Sequence, residues 1–285
     1  MGKKHYRSIL YIIGGILAVC TAFPIIYMLA NSVMSAQEII ESYQVSAGEY
    51  TNFHLVPGHF SLEQYYRAFF REPDFLYMFW NSVIYAVPAV AGQTVISIFA
   101  GYAFAKLRFP GRDKLFFISV ILLLLPIQVT IVPNYIILNK LGLLDSRLSL
   151  ILPAVFSAFG VCLLRQSIRS LSNECIESAR MDGAGEMRIL SGIVLPQIKG
   201  GIASVILLSF IEVWNMIEQP LIYLKDEAKY PLSLYLSTVN DEKTGISFAC
   251  GVIFMIPVML LYLYFRQEFT QSIFQEEDEV YEKNR

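Results

Sequence analysis

The sequence predicts an all-α membrane protein with six transmembrane helices. Three observations predict it: 55% of the 285 residues are hydrophobic, the mean hydropathy is +0.51, and only 16% are charged. Soluble domains carry about 25% charged residues. A helix needs about 20 mostly apolar residues to cross a hydrocarbon core. Backbone polar groups have no water to bond there, so the spanning segments must be helices.

The apolar runs predict spans at Ser8–Ala30, Phe79–Ala105, Leu115–Leu138, Leu148–Leu164, Gly201–Leu224 and Ile246–Phe265. The fourth is the shortest. Pro24, Pro88, Pro126, Pro133, Pro153, Pro220 and Pro257 fall inside these runs. Membrane helices tolerate proline, often at kinks or broken segments. The first run follows a basic start, MGKKHYR, but continues about ten residues past the Leu17–Cys20 stretch, and Val19 is larger than a cleavage box accepts, so a retained span is expected. No internal repeat is evident.

Orientation follows from lysine and arginine. An even number of spans puts both termini on one side. Segments 1–7, 106–114, 165–200 and 266–285 hold fifteen of the 22 basic residues, and the opposite loops 31–78, 139–147 and 225–245 hold seven. Both termini are therefore predicted to be cytoplasmic. Loop 31–78 is rich in aromatics and predicts an ordered extracytoplasmic cap. The tail 266–285 is acidic, and its run at 276–279 predicts a solvated end.

Several function classes are excluded or disfavoured. Net charge is −2, which gives no electrostatic case for nucleic acid. No GxxxxGK[ST] loop is present, so the chain is not expected to hydrolyse nucleotide. Cys20, Cys162, Cys175 and Cys250 form no metal-like spacing, and His5, His54 and His59 suggest no ligand set. No catalytic residue, metal or cofactor is expected on this chain.

The stretch ESARMDGAGEMRILSGIVLP, Glu177–Pro196, is polar and lies between two apolar runs. Ser172 or Asn173 can cap a helix, with Glu174 and Glu177 in its first turns. Gly183 can take a positive φ and end it. A second helix follows, with Met187, Leu190, Ile193 and Val194 predicted as its apolar stripe. Pro196 is expected to close it at the membrane. Ser178, Ala179, Gly183, Ala184 and Gly185 leave room for another surface. By residues alone, the segment is either a docking element or an amphipathic loop on the headgroups.

The fifth run holds Ser209, Glu212, Trp214, Asn215, Glu218 and Gln219. A mid-bilayer carboxylate costs about 2.5–3.5 kcal/mol on insertion scales, so Glu212 should face protein or water. At 100° per residue, Ser209, Glu212, Asn215 and Gln219 share one face. That face either lines a translocation path or bonds a neighbouring helix through Gln93, Gln128 or Asn134. Trp214 either packs or stacks on a sugar.

The spacing at Glu177-Ser178-Ala179, Gly183, Ile193, Leu195 and Pro196 resembles the EAA signature of ATP-binding-cassette (ABC) importer permeases. That pattern is EAA, three residues, Gly, nine residues, I-x-L-P, and Ser178 replaces the second alanine. GYAFAKLRFPGR at Gly101–Arg112, VPNYIILNKLGLLDSRLSLILP at Val132–Pro153, WNMIEQPLIYL at Trp214–Leu224 and the pair Asn81-Ser82 resemble the carbohydrate-importer branch, the maltose-type second permease subunit in particular. One departure is the acidic tail, where that family often ends glycine-rich and basic.

The resemblance implies a type I importer permease with a cytoplasmic coupling helix. Glu177, Ser178, Ala179, Asp182 and Gly183 would dock on a cytoplasmic ATPase. The implied partners are a second, homologous permease subunit, two ATPase subunits holding ATP and magnesium, and an extracytoplasmic solute-binding protein. The implied location is the bacterial cytoplasmic membrane. The implied function is sugar or oligosaccharide import by alternating access. A permease for another solute is the alternative, and a secondary transporter, which would show inverted repeats, is a weaker one.

Overall fold

The structure is a computed structural model that describes the backbone of residues 2–43, 56–71, 73–238 and 244–283. Side chains are described for 10–43, 56–71, 74–238 and 244–269. The acidic run at 276–279, His5 and His54 lie outside the described side chains.

Among the described residues, fifteen α-helices follow in order: α1 Gly2–Ser32, α2 Ala36–Tyr43, α3 Glu63–Phe70, α4 Pro73–Lys106, α5 Arg112–Leu123, α6 Ile127–Lys140, α7 Leu148–Ala154, α8 Ala158–Arg169, α9 Asn173–Met181, α10 Glu186–Ile189, α11 Leu195–Gln197, α12 Lys199–Trp214, α13 Glu218–Tyr223, α14 Leu232–Ser237 and α15 Thr244–Lys283. The described residues form no β-strand, only an isolated bridge between Met34 and Phe60.

Among the described residues, four segments are long and apolar enough to cross a membrane: Leu10–Ser32, Asp74–Lys106, Leu148–Arg169 and Thr244–Phe269. Two bent pairs, α5 with α6 at 105° and Glu186–Gln197 with α12 at 80°, would raise the number to as many as six if each pair counted as one span. The first bend has a local cause. Pro126 is extended, with φ −65° and ψ 146°, and a proline disfavours helix in the residue before it.

The chain divides into two compact units. The first comprises residues 1–79 and 235–256. Within it, Phe248 of α15 meets Tyr27 edge-on at 6.2 Å, and Tyr43 at 5.5 Å. Glu38 gathers the loop below α2, accepting from the N–H groups of Gly58 at 2.8 Å and His59 at 3.1 Å.

The second unit comprises residues 80–234 and 257–285. Here α4, α8 and α12 pack closely through small residues, as helices in membranes do. A Cβ on Gly101 would lie 3.0 Å from the Arg165 backbone nitrogen, and one on Gly201 would lie 2.5 Å from Ser167 Oγ. Ser157 caps α8 by accepting from Gly160 N–H at 3.2 Å. Residues 225–232 are tied back to α4: Asn81 Nδ2 donates to Ala228 C=O at 2.8 Å, Tyr85 Oη donates to Lys229 C=O at 2.7 Å, and Leu232 N–H donates to Ser82 Oγ at 2.9 Å.

Candidate functional site

Two features of the second unit hold the residues singled out in the sequence. The first is the α9–α11 element. Ser172 caps α9 by accepting from Glu174 N–H at 3.2 Å. The helix then puts Ile176 inward, 2% exposed, with Ala179 half-buried beside the same core cluster. Glu177, Ser178 and Asp182 face out, as does Gly183.

Gly183 ends the helix with φ +80°. Its N–H bonds Arg180 C=O at 3.0 Å, and Ala184 N–H bonds Ala179 C=O at 2.9 Å. These two bonds make a Schellman cap, which satisfies carbonyls that the helix end would leave open.

The second helix departs from the expected stripe. Ile189, Leu190, Val194 and Ile198 are buried, together with Ile176, Leu164, Ile168 and Tyr102, whereas Met187 is 64% exposed. A π-turn over Leu190–Val194 is the reason: Leu195 N–H reaches Leu190 C=O, five residues back. The wider turn rotates the inward face by about one residue. The helix also continues through Pro196 to Gln197, and the sharp bend falls at Ile198. Met181, 90% exposed, and Met187 leave apolar surface beside the outward carboxylates of Glu177 and Asp182.

The element is gripped from α4. Lys106 Nζ donates to Leu171 C=O at 2.8 Å and to Asn173 Oδ1 at 2.7 Å. The Tyr102 hydroxyl donates to Glu186, which also accepts from Arg180 Nε at 2.9 Å and Nη2 at 3.2 Å. The Arg180 guanidinium, then the Tyr102 hydroxyl, holds the Glu186 carboxyl below its ordinary value. A groove of about 450 Å³ runs beside this grip, lined by Lys106, Arg108, Arg112, Glu177, Arg180 and Glu186. The sequence reading assigned no role to Tyr102, Lys106, Arg180 or Glu186. The four-residue spacing of Tyr102 and Lys106, which sets them on one helix face, was the available signal.

The second feature is a cavity of about 420 Å³. Gln93 of α4, Thr130 and Asn134 of α6, Ser157 before α8, Glu212 of α12, and Gln219 and Tyr223 of α13 supply its polar lining. Phe156 and Phe159 contribute apolar faces. The expected single polar face does not hold, because α12 ends at Trp214 and α13 starts at Glu218. Glu212 and Gln219 line the cavity. Ser209 is 2% exposed and outside the lining, and the Asn215 amide donates to its own Ile211 C=O at 2.7 Å. Trp214 is 1% exposed and stacks on Phe210 at 5.1 Å. Gln128 bonds Glu218, at 3.1 Å, and not Glu212. Among the described residues, no three His, Cys, Asp or Glu side chains converge as a metal site.

The family described as "Binding-protein-dependent transport system inner membrane component" matches residues 65–273. The chain is 29% identical over 279 residues to the sn-glycerol-3-phosphate transport system permease protein UgpE of Brucella abortus, covering 94% of this chain and 95% of that one. It is 31% identical over 265 residues to the diacetylchitobiose uptake system permease protein NgcG of Streptomyces coelicolor, covering 90% and 84%. Its fold superposes with a TM-score of 0.78 on a chain of a bacterial ABC transporter involved in the import of the acidic polysaccharide alginate, at 26% identity over 93% of this chain and 97% of that one.

Proposed function

Because the chain belongs to the family of inner-membrane components of binding-protein-dependent transport systems, we propose that it is a permease subunit that carries a sugar or oligosaccharide through an ABC importer. A binding protein delivers the solute from outside. The chain itself does no covalent chemistry. Two ATPase subunits bind ATP and magnesium, and a second, homologous permease completes the path. Both termini face the cytoplasm, in keeping with the lysine and arginine count.

The observation that carries this reading is the α9–α11 element. Its outward face, Glu177, Ser178, Met181, Asp182 and Gly183, is free of the core, while its inward face is packed and tied to α4 through Tyr102 and Lys106. Such a part can receive displacement from outside and hand it to a long helix. Ala179 supports the face from beneath. ATP-driven closure of the ATPases would move the element, and the spans would switch between inward- and outward-facing states. The switch requires differential binding in the two states.

The test is ATP-driven uptake in vesicles that hold the complex. Gly183→Trp and Glu177→Lys should abolish uptake while membrane insertion stays normal. Uptake that survives both variants would remove the docking assignment. Uptake driven by an ion gradient without ATP would remove the importer reading.

A further inference from the structure

The ends of α4 and α8 meet the start of α5, and the cations gathered there have few partners. Arg108 stands in the turn between α4 and α5, Arg112 and Lys114 in the first turn of α5, and Arg165 and Arg169 at the end of α8. The Arg165 guanidinium lies 3.7 Å over the Phe116 ring, and its Nε donates to Phe104 C=O at 3.4 Å. It thereby joins α8 to both α4 and α5, within electrostatic reach of Arg112, Asp113 and Arg169. Arg112 Nε pairs with Asp113 Oδ1 at 3.0 Å. Arg108, Lys114 and Arg169 are exposed and form no ion pair with any described residue.

A pocket of about 450 Å³ opens here, lined by Arg108, Phe109, Gly111, Arg112, Asp113 and Lys114. Three cations stand against one carboxylate in that lining, so the pocket is positive and attracts an anion. Beyond Lys114, α5 is apolar. At 100° per residue, Lys114, Phe117, Ile118 and Ile121 share one face. Phe117, Ile118 and Ile121 are 64%, 50% and 45% exposed. The 12 residues of α5 run about 18 Å, close to half of a hydrocarbon core about 30 Å thick.

A cationic pocket at the head of a leaflet-length apolar face matches the two chemistries of an anionic phospholipid. A free phosphate would use the pocket alone and leave the face uncovered. A zwitterionic lipid would bring its own ammonium beside Arg108 and Lys114, where like charges repel. We propose that the pocket at Arg108, Arg112 and Lys114 binds the headgroup of an anionic phospholipid, with an acyl chain lying along Phe117, Ile118 and Ile121. This site is independent of the importer reading, since it needs only that α5 lies in a bilayer.

The test uses the full-length chain, with the subunits that co-purify with it, in phosphatidylcholine nanodiscs. Two photoreactive lipids with the same diazirine-bearing acyl chain are compared, a phosphatidylglycerol and a phosphatidylcholine. Labelled peptides are located by mass spectrometry. The phosphatidylglycerol should label residues 112–123 about tenfold or more above the phosphatidylcholine, because each uncompensated cation is worth about fivefold at an anionic surface. Arg108→Gln with Lys114→Gln should bring the two lipids to within about twofold. The thermal midpoint should not change, since both side chains are exposed and unpaired. Arg108→Lys with Lys114→Arg keeps both charges and should keep the preference. Excess inorganic phosphate should not displace the lipid.

Equal labelling by the two lipids, a preference unchanged in the Gln variant, or displacement by inorganic phosphate would each overturn the proposal. Failure of both lipids to label α5 would do the same, by placing another protein surface over it. Labelling that appears only after removal of residues 270–285 would assign the pocket to the chain's own acidic tail, and would overturn it too.

Discussion

Lys106 at the end of α4 donates to Asn173 at the start of α9, 2.7 Å away, and its second bond reaches Leu171 C=O at 2.8 Å. The first turn of α9 is thereby fastened to a helix of 34 residues. Lys106→Met keeps the stem and loses the charge. Its expected effect is a fall in uptake per ATP hydrolysed of about fivefold, at the low end of ordinary coupling energies. ATP hydrolysis should persist. Parallel uptake and phosphate-release assays check this, and an unchanged ratio would show that the contact transmits nothing.

The second fastening depends on pH. The Glu186 carboxyl is held below its ordinary value, first by Arg180 and then by Tyr102. Its contribution is complete above the carboxylate range and is lost as pH falls through the lowered value. Both side chains are more than a third exposed, and pairs of that kind contribute about 0–1 kcal/mol. Glu186→Gln should therefore lower the thermal midpoint only slightly at neutral pH. It should also flatten the part of the acid-induced loss that this pair causes. Thermal unfolding of the complex across pH distinguishes the two chains.

Two neighbours on α9 should behave oppositely. Ile176 is 2% exposed in the core cluster, and Ile176→Ala should destabilise by about 2–4 kcal/mol. Met181 is 90% exposed, so Met181→Gln should change stability by less than about 0.5 kcal/mol. Under the docking assignment, it should still weaken retention of the ATPase during purification. Retention equal to that of the unaltered chain would take Met181 out of the docking surface.

At Gly183, φ is +80°. A side chain there meets a left-handed conformation that costs about 1–2 kcal/mol. Gly183→Ala meets no neighbouring atom within 4 Å, so the strain is the backbone's alone. Gly183→Asn should recover part of the loss, because asparagine tolerates this region. Thermal midpoints of the three chains check the order Gly, Asn, Ala.

Asp145 organises the 224–232 loop. It takes φ 56°, and its carboxylate accepts from the N–H groups of Lys225 at 3.1 Å and Asp226 at 3.2 Å. Those two backbone bonds, above the smaller effect of Lys229, hold its pKa below the ordinary value. Loop order should persist above the ordinary carboxylate range and fade as pH falls through the lowered value. Asp145→Ala should make the loop more sensitive to proteolysis at neutral pH, and Asp145→Asn should protect it in part.

Much of the α9–α11 element was legible in the sequence. The cap at Ser172 and the turn at Gly183 depend on local backbone chemistry, and both occur as local rules require. The stripe of the second helix was misread at Met187, because a π-turn breaks the 3.6-residue period. The polar face of the fifth run was misread for a related reason. Angles counted along a helix lose meaning once the helix breaks at Asn215–Ile217. Tyr102, Lys106 and Gln93 gave little local signal, since each gains its partner, or its lack of one, from residues far along the chain.

By itself, then, the sequence determined the apolar helices, the polar segment between two of them and the turn that ends α9. These follow from hydrophobicity and from φ preferences, which act over a few residues. Only the tertiary structure decided which groups meet: Lys106 with Asn173, Tyr102 with Glu186, and Gln93 with Glu212 around one cavity. The physical reason is that hydrogen bonds and shared cavities depend on helix breaks and crossings, and a break of two or three residues redirects every side chain beyond it.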